Sequence, residues 1–207
     1  MKVYDISIEI REGMGVWKNK DNKRPEIEVT STIKTGNANE SRFHLDAHTG
    51  THIDAPFHFL NNGKKIDAIP VDKFLGESIV VDLTNIKKRG IEKLDLIKSK
   101  IRKGDIVILK TSNKYKQNFD FDFVYLAESG AKFLASKNIK GVGINALGIE
   151  RSQPNYGTHK SLLSKDIAIF EGLELSKIKP GRYFFIGLPL KVKDGDASPM
   201  RAVLVKK

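Results

Sequence analysis

The chain has 207 residues, 40% of them hydrophobic and 29% charged, which suits one packed domain over 1–207 and excludes a disordered chain. Lys and Arg number 36 against 25 Asp and Glu, a formal net charge of +11, but the lysines are scattered, so a solvated basic surface is expected rather than a nucleic-acid groove. The lack of cysteine excludes disulfides, thiolate metal sites and a cysteine nucleophile, and with neither an apolar leader nor the ~20-residue apolar run of a membrane helix a cytoplasmic protein is expected.

Alternating apolar and polar residues predict strands over 3–10 and 27–33, each with one buried face. Between them an irregular loop, 12–25, carries Gly13, Gly15 and the sole tryptophan, Trp17. A further extended stretch, 41–48, leads to a turn at Thr49-Gly50-Thr51, and Pro56 argues against a helix there. β-Branched runs predict buried strands over 78–83 and 104–111. Ile91, Leu94, Ile97 and Ile101 recur at helical spacing, and residues 127–138 predict a second helix. Strands over 141–144, 167–170, 183–188 and 200–205 complete the set. Strands outnumber helices without strict βαβ alternation, so the expected fold class is mixed α/β with several antiparallel or curved strands.

Four of the five histidines, His44, His48, His52 and His58, fall within fifteen residues. The run His48-Thr-Gly-Thr-His52-Ile-Asp54-Ala-Pro-Phe-His58 places imidazoles and a carboxylate on a backbone bent by Gly and Pro. If the chain is extended here, His52 and Asp54 share one face, and the Gly50 turn brings His48 beside them. Such nitrogen and oxygen donors suit Zn²⁺, Mn²⁺ or Fe²⁺, and three donors leave positions open for water and substrate. His58, beyond Pro56, is read as general base and acid, with a fourth-ligand role as the competing reading. His44 is expected to be a hydrogen-bonded core residue, Asp46 an exposed strand carboxylate, and Phe57 and Phe59 core anchors. Far along the chain, His159 and Glu171 are candidates for a second metal site that shares Asp54.

The 48–58 run closely resembles the signature of the cyclase-like metal-dependent hydrolases, which include bacterial kynurenine formamidase and isatin hydrolase. His159-Lys-Ser-Leu-Leu, Ile169-Phe-Glu171-Gly-Leu and Ser198-Pro-Met-Arg-Ala-Val resemble the same family in the same order, so the likeness spans nearly the whole chain. It implies a swivelling β/β/α fold, a homodimer or homotetramer, and hydrolysis of a small-molecule amide or lactam with one or two divalent ions, Zn²⁺ ahead of Mn²⁺. It further implies that His48, His52 and Asp54 ligate a first metal, that Asp54 and Glu171 bridge, that His159 ligates a second, and that His58 shuttles the proton. Trp17 resembles an aromatic residue that packs against substrate. The departures fall around the substrate. Trp17 is followed by Lys18-Asn19-Lys20-Asp21 instead of Pro-Gly-Asp, and Asn145 and Glu150 stand where family members often carry Asp. N-formylkynurenine is the first candidate substrate and another cyclic amide or lactam, as for isatin hydrolase, the second. Outside the enzymes, a basic nucleic-acid-binding module with a structural metal clip is the competing reading; it has no use for His58.

Overall fold

Ile106, Val107, Ile108 and Leu109 are all fully buried, which a strand permits only when both of its faces are covered. The computed structural model, which describes residues 1–206, shows what covers them. In chain order the strands are β1 (Lys2–Asp5), β2 (Glu26–Ser31), β3 (Glu40–His44), β4 (His52–Asp54), β5 (Leu75–Leu83), β6 (Gly90–Ile91), β7 (Ile106–Thr111), β8 (Tyr125–Leu126), β9 (Gly141–Ile144), β10 (Ala168–Glu171), β11 (Gly181–Pro189) and β12 (Ala197–Lys206). The helices are α1 (Lys93–Leu96), α2 (Glu128–Ser136) and α3 (Gly157–Leu163).

The main sheet runs β1-β12-β11-β5-β7-β9-β10-β4, and β4 pairs again with β12, so that seven strands close a ring with β1 added outside it. The β5, β7, β9 and β10 neighbours are parallel, and the contacts of β11, β12 and β4 are antiparallel. This is the mixed α/β, swivelling arrangement that the resemblance implies. Alternate side chains of β7 separate two cores. Ile106 and Ile108 face an inner cluster with Phe170, Phe185 and Ile53, while Val107 and Leu109 face an outer cluster with Ala131 and Leu134 of α2 and Leu162 of α3.

Several local expectations are corrected. Strands β2 and β3 pair only with each other, and this two-stranded ribbon has no layer behind it, so Val29 is exposed rather than buried, as is Phe43 on the neighbouring strand. His44 is exposed on the same ribbon, 3.9 Å from Glu28, and is not a core residue. The spacing of 91–101 yields only the single turn α1, because Leu94 and Ile97 face solvent. Phe57 is 37% exposed, under the Lys65 ammonium, and is no core anchor. Helix α3, which carries His159, is absent from the predicted elements. It starts from left-handed Asn155 and Tyr156, so no ordinary capping pattern announces it.

Candidate metal centre

Two strands place most of the centre. Antiparallel pairing sets His52 of β4 opposite Glu171 of β10, and Asp54 opposite Ala197 of β12. The turn before β4 has left-handed Gly50, and Gly172 after β10 is also left-handed; a β-carbon on Gly172 would lie 2.1 Å from the Gly50 carbonyl oxygen. That close approach requires glycine. It locks the two turns together, helped by Thr51, whose hydroxyl donates to the Gly172 carbonyl. Helix α3 brings His159 from the opposite side.

The structure brings His48, His52, Asp54, His58, His159 and Glu171 to one place. Asp54 Oδ1 lies 3.0 Å from His48 Nδ1 and 3.6 Å from His52 Nε2, and its Oδ2 lies 3.4 Å from His159 Nε2. Glu171 divides its oxygens likewise, Oε2 at 3.3 Å from His52 Nε2 and Oε1 at 3.6 Å from His159 Nε2. Each carboxylate thus faces imidazoles on two sides. Donor atoms of His52, Asp54 and Glu171 lie within 4.8 Å of one another, as do those of His48, Asp54 and His58.

The outward nitrogens of three imidazoles are each held by an acceptor. His52 Nδ1 donates to the Gly50 carbonyl at 3.0 Å, His159 Nδ1 to Glu150 Oε1 at 2.7 Å, and His48 Nε2 to Asp196 Oδ2 at 3.0 Å. In the neutral ring the opposite nitrogen is then a bare lone pair, and all three lone pairs face Asp54 or Glu171. His52 Nε2 and both oxygens of Asp54 are buried without a hydrogen-bond partner. Buried polar atoms left so are costly, and a carboxylate more than most. Convergent lone pairs and partnerless carboxylate oxygens fit a hard or borderline divalent cation.

Charge in the metal-free centre follows from burial and neighbours. Burial opposes charge on His48, but Asp196 and Asp54 outweigh it and raise its pKa to about 10. Burial likewise opposes charge on His159, and Asp54, Glu150 and Glu171 drive its pKa well up. Burial would raise the Asp54 carboxyl, but His159 and His48 hold it well below the usual range. At His58 burial prevails and lowers the pKa, the pull of Asp54 being offset by His48 and His159. Hydrogen bonding from His48 holds Asp196 at about 2 despite its burial.

A cavity of about 290 Å³ opens onto the centre, lined by Trp17, Lys18, Lys20, Lys23, Phe59 and Tyr156 among others. Trp17 packs edge-on against Phe119 and Phe123, at centroid distances of 4.8 and 6.1 Å. Phe59 packs on His159 at 4.1 Å and on Tyr156 at 4.8 Å.

Asp196 and Glu150 hold imidazoles although neither belongs to the histidine-rich run or to the His159 and Glu171 segments. Asp196 sits in the Lys193-Asp-Gly-Asp196 turn, which reads as solvated loop. Glu150 carried a faint signal as a departure from the family pattern. Asn145 belongs elsewhere: its amide ties the Thr111 and Asn113 backbone together. Asp46 accepts the backbone N–H of His48 and pairs with Lys23, so it braces the turn without touching an imidazole ring.

Comparison with known proteins agrees with this geometry. Residues 4–151 match the Cyclase family model, "Putative cyclase". Kynurenine formamidase of Bacillus anthracis is 31% identical over 205 residues, covering 98% of this chain and 97% of that protein. A solved structure described as a potential metal-dependent hydrolase with cyclase activity is 45% identical, with a TM-score of 0.89 over 98% of this chain and 96% of that one. Isatin hydrolase A from Labrenzia aggregata shares the fold, with a TM-score of 0.85 at 22% identity over 100% of this chain and 94% of its own. The chain belongs to the cyclase family.

Proposed function

We propose that this chain is a metal-dependent hydrolase of small amides, with an arylformamide such as N-formylkynurenine as the first substrate to test. The observation that carries the reading is the set of buried, partnerless atoms of His52 and Asp54 at the foot of an open cavity. The similarity to kynurenine formamidase along the whole chain supports the amide. In this reading His48, His52 and Asp54 would hold one ion and His159 a second, with Asp54 and Glu171 available to both; Zn²⁺ is the first candidate and Mn²⁺ the next. Such an ion, when bound, supplies Lewis acidity that makes water a nucleophile near neutral pH and polarises the scissile carbonyl.

The protein's own part is positioning and proton transfer. Hydrolysis forms a C–O bond, breaks the C–N bond and moves one proton from water to the departing nitrogen. His58 is the carrier. Its side chain is 29% exposed at the cavity, and its lowered pKa keeps it neutral and able to accept that proton. Asp196 Oδ2, 3.4 Å from His58 Nδ1, holds the ring towards the cavity. Trp17 and Phe59 form apolar walls that suit a planar substrate. A closed structural clip would need neither the cavity nor a half-exposed histidine beside it.

Metal analysis of the purified protein, with a hydrolysis screen of N-formyl aromatic amines, isatin and simple amides, tests the proposal. Bound divalent metal and metal-dependent turnover of an arylformamide are the expected result. Turnover of isatin alone shifts the substrate to lactams. Folded protein that neither holds nor responds to metal overturns the reading.

A further inference from the structure

The cavity mouth is positively charged in a way the hydrolytic centre does not use. Three lysines of the Trp17 loop, Lys18, Lys20 and Lys23, line the cavity. Lys23 is committed to Asp46 at 2.9 Å, and the loop's own acid, Asp21, is committed to Arg24 at 2.9 Å. Neither Lys18 nor Lys20 has a carboxylate within 4.0 Å among the described residues. The carboxylates in the lining, Glu150 and Glu171, face His159 and His52. The charge left uncompensated at the opening is therefore cationic.

The loop is also held in place. Lys18 and Asn19 are consecutive left-handed residues, at φ 53° and 55°, a conformation that asparagine takes readily and lysine rarely, so that Lys18 marks a local constraint. The constraint is visible: the Asn19 side-chain oxygen accepts the Phe119 N–H at 2.8 Å, and the backbone N–H groups of Asn19 and Lys20 donate to Val16 and Trp17 at 3.1 and 3.2 Å. Trp17 is fixed beneath by the two phenylalanines, with the Lys18 ammonium 5.7 Å from its ring centroid.

We infer that Lys18 and Lys20 are specificity residues that take the substrate's carboxylate, with Trp17 and Phe59 flanking its planar body. The inference rests on the amide reading above, whose first candidate carries a carboxylate, and adds the residues that hold it. Ammonium groups at a partly enclosed mouth raise the local concentration of anions and are weakened by salt.

The test compares N-formylanthranilate, which carries a carboxylate, with formanilide, which does not, in wild-type protein and in Lys18→Met/Lys20→Met. Both lysines are exposed, so the double variant is expected to fold, with an unchanged melting curve as the control. The wild type should favour N-formylanthranilate in kcat/KM. That preference should fall at least tenfold in the variant, and in the wild type on raising NaCl from 0.02 to 0.5 M. A merely structural role would depress both substrates alike and leave their ratio intact. A second readout needs no turnover: Trp17 is the only tryptophan, so its fluorescence reports binding of anthranilate and aniline with and without Zn²⁺. Anthranilate should bind at least fivefold more weakly to the variant. An unchanged substrate ratio, or anthranilate binding that ignores the lysines and vanishes with the metal, overturns the inference. Lysine-dependent anthranilate binding without turnover of either formamide supports the carboxylate site at Lys18 and Lys20 while removing the amide reading.

Discussion

His159 donates its Nδ1–H to Glu150 Oε1 over 2.7 Å, with both side chains buried. The other oxygen of the same carboxylate accepts the Thr158 backbone N–H at 3.1 Å. Glu150 thus orients the imidazole and anchors the first turn of α3. Glu150→Ala should lower affinity for the second ion by about 10–100-fold, and Glu150→Gln, which keeps one acceptor, should lose less. Titration of chelator-stripped protein with Zn²⁺ reads both; wild-type affinity and stoichiometry in Glu150→Ala would remove the assigned role.

His58 sits beside the cluster with its pKa lowered by burial, and its ring lies 4.2 Å from that of His48. His58→Ala should keep its metal and lose turnover by roughly 10²–10⁴-fold, the range of a general acid–base group. Loss of metal in the variant would instead make His58 a ligand, the alternative left open by its sequence.

Metal loading should expel protons. The metal-free His48 stays protonated up to a pKa of about 10, whereas a cation binds only the neutral ring. Across the neutral range each such binding event therefore releases a proton, and affinity rises about tenfold per pH unit. Calorimetry in two buffers of different ionisation enthalpy counts that proton. Chelation should lower the melting temperature, since an ion at 100 times its dissociation constant stabilises the fold by about 2.7 kcal/mol.

Gly172→Ala would force a β-carbon against the Gly50 carbonyl oxygen, 2.1 Å away, at a left-handed φ of 64°. Roughly 1–3 kcal/mol of stability should go, or about 2–4 °C of melting temperature per kcal/mol. Because that carbonyl also fixes His52, metal affinity should fall with stability. Gly104→Ala, where a β-carbon meets nothing within 4 Å at φ 79°, carries the backbone strain alone and is the control.

The centre was legible where local sequence holds the geometry. His48, His52 and Asp54 lie within one turn and one short strand, and spacing alone brings them together. Their supports were not legible, because they come from places joined only by the closed sheet: Asp196 is 148 residues from His48, in a loop whose charges read as solvated. The central strands β5 and β7 are readable because burial on both faces leaves β-branched runs. The ribbon misleads because alternation reports two unlike faces and not whether anything covers the apolar one, so His44 reads as part of a core that has no second layer. Helix 91–101 failed for the same reason: Leu94 and Ile97 have the spacing and lack the partner.

Strand β12 both completes the ring against β4 and follows directly from Asp196. A nascent chain lacking this last stretch would have β4 unpaired on that side and His48 without its acceptor. Closure of the ring must wait until β12 has been made, and pairings between such distant segments form slowly. Capture of an ion at His48 would then follow the pairing of β12 and could not precede it.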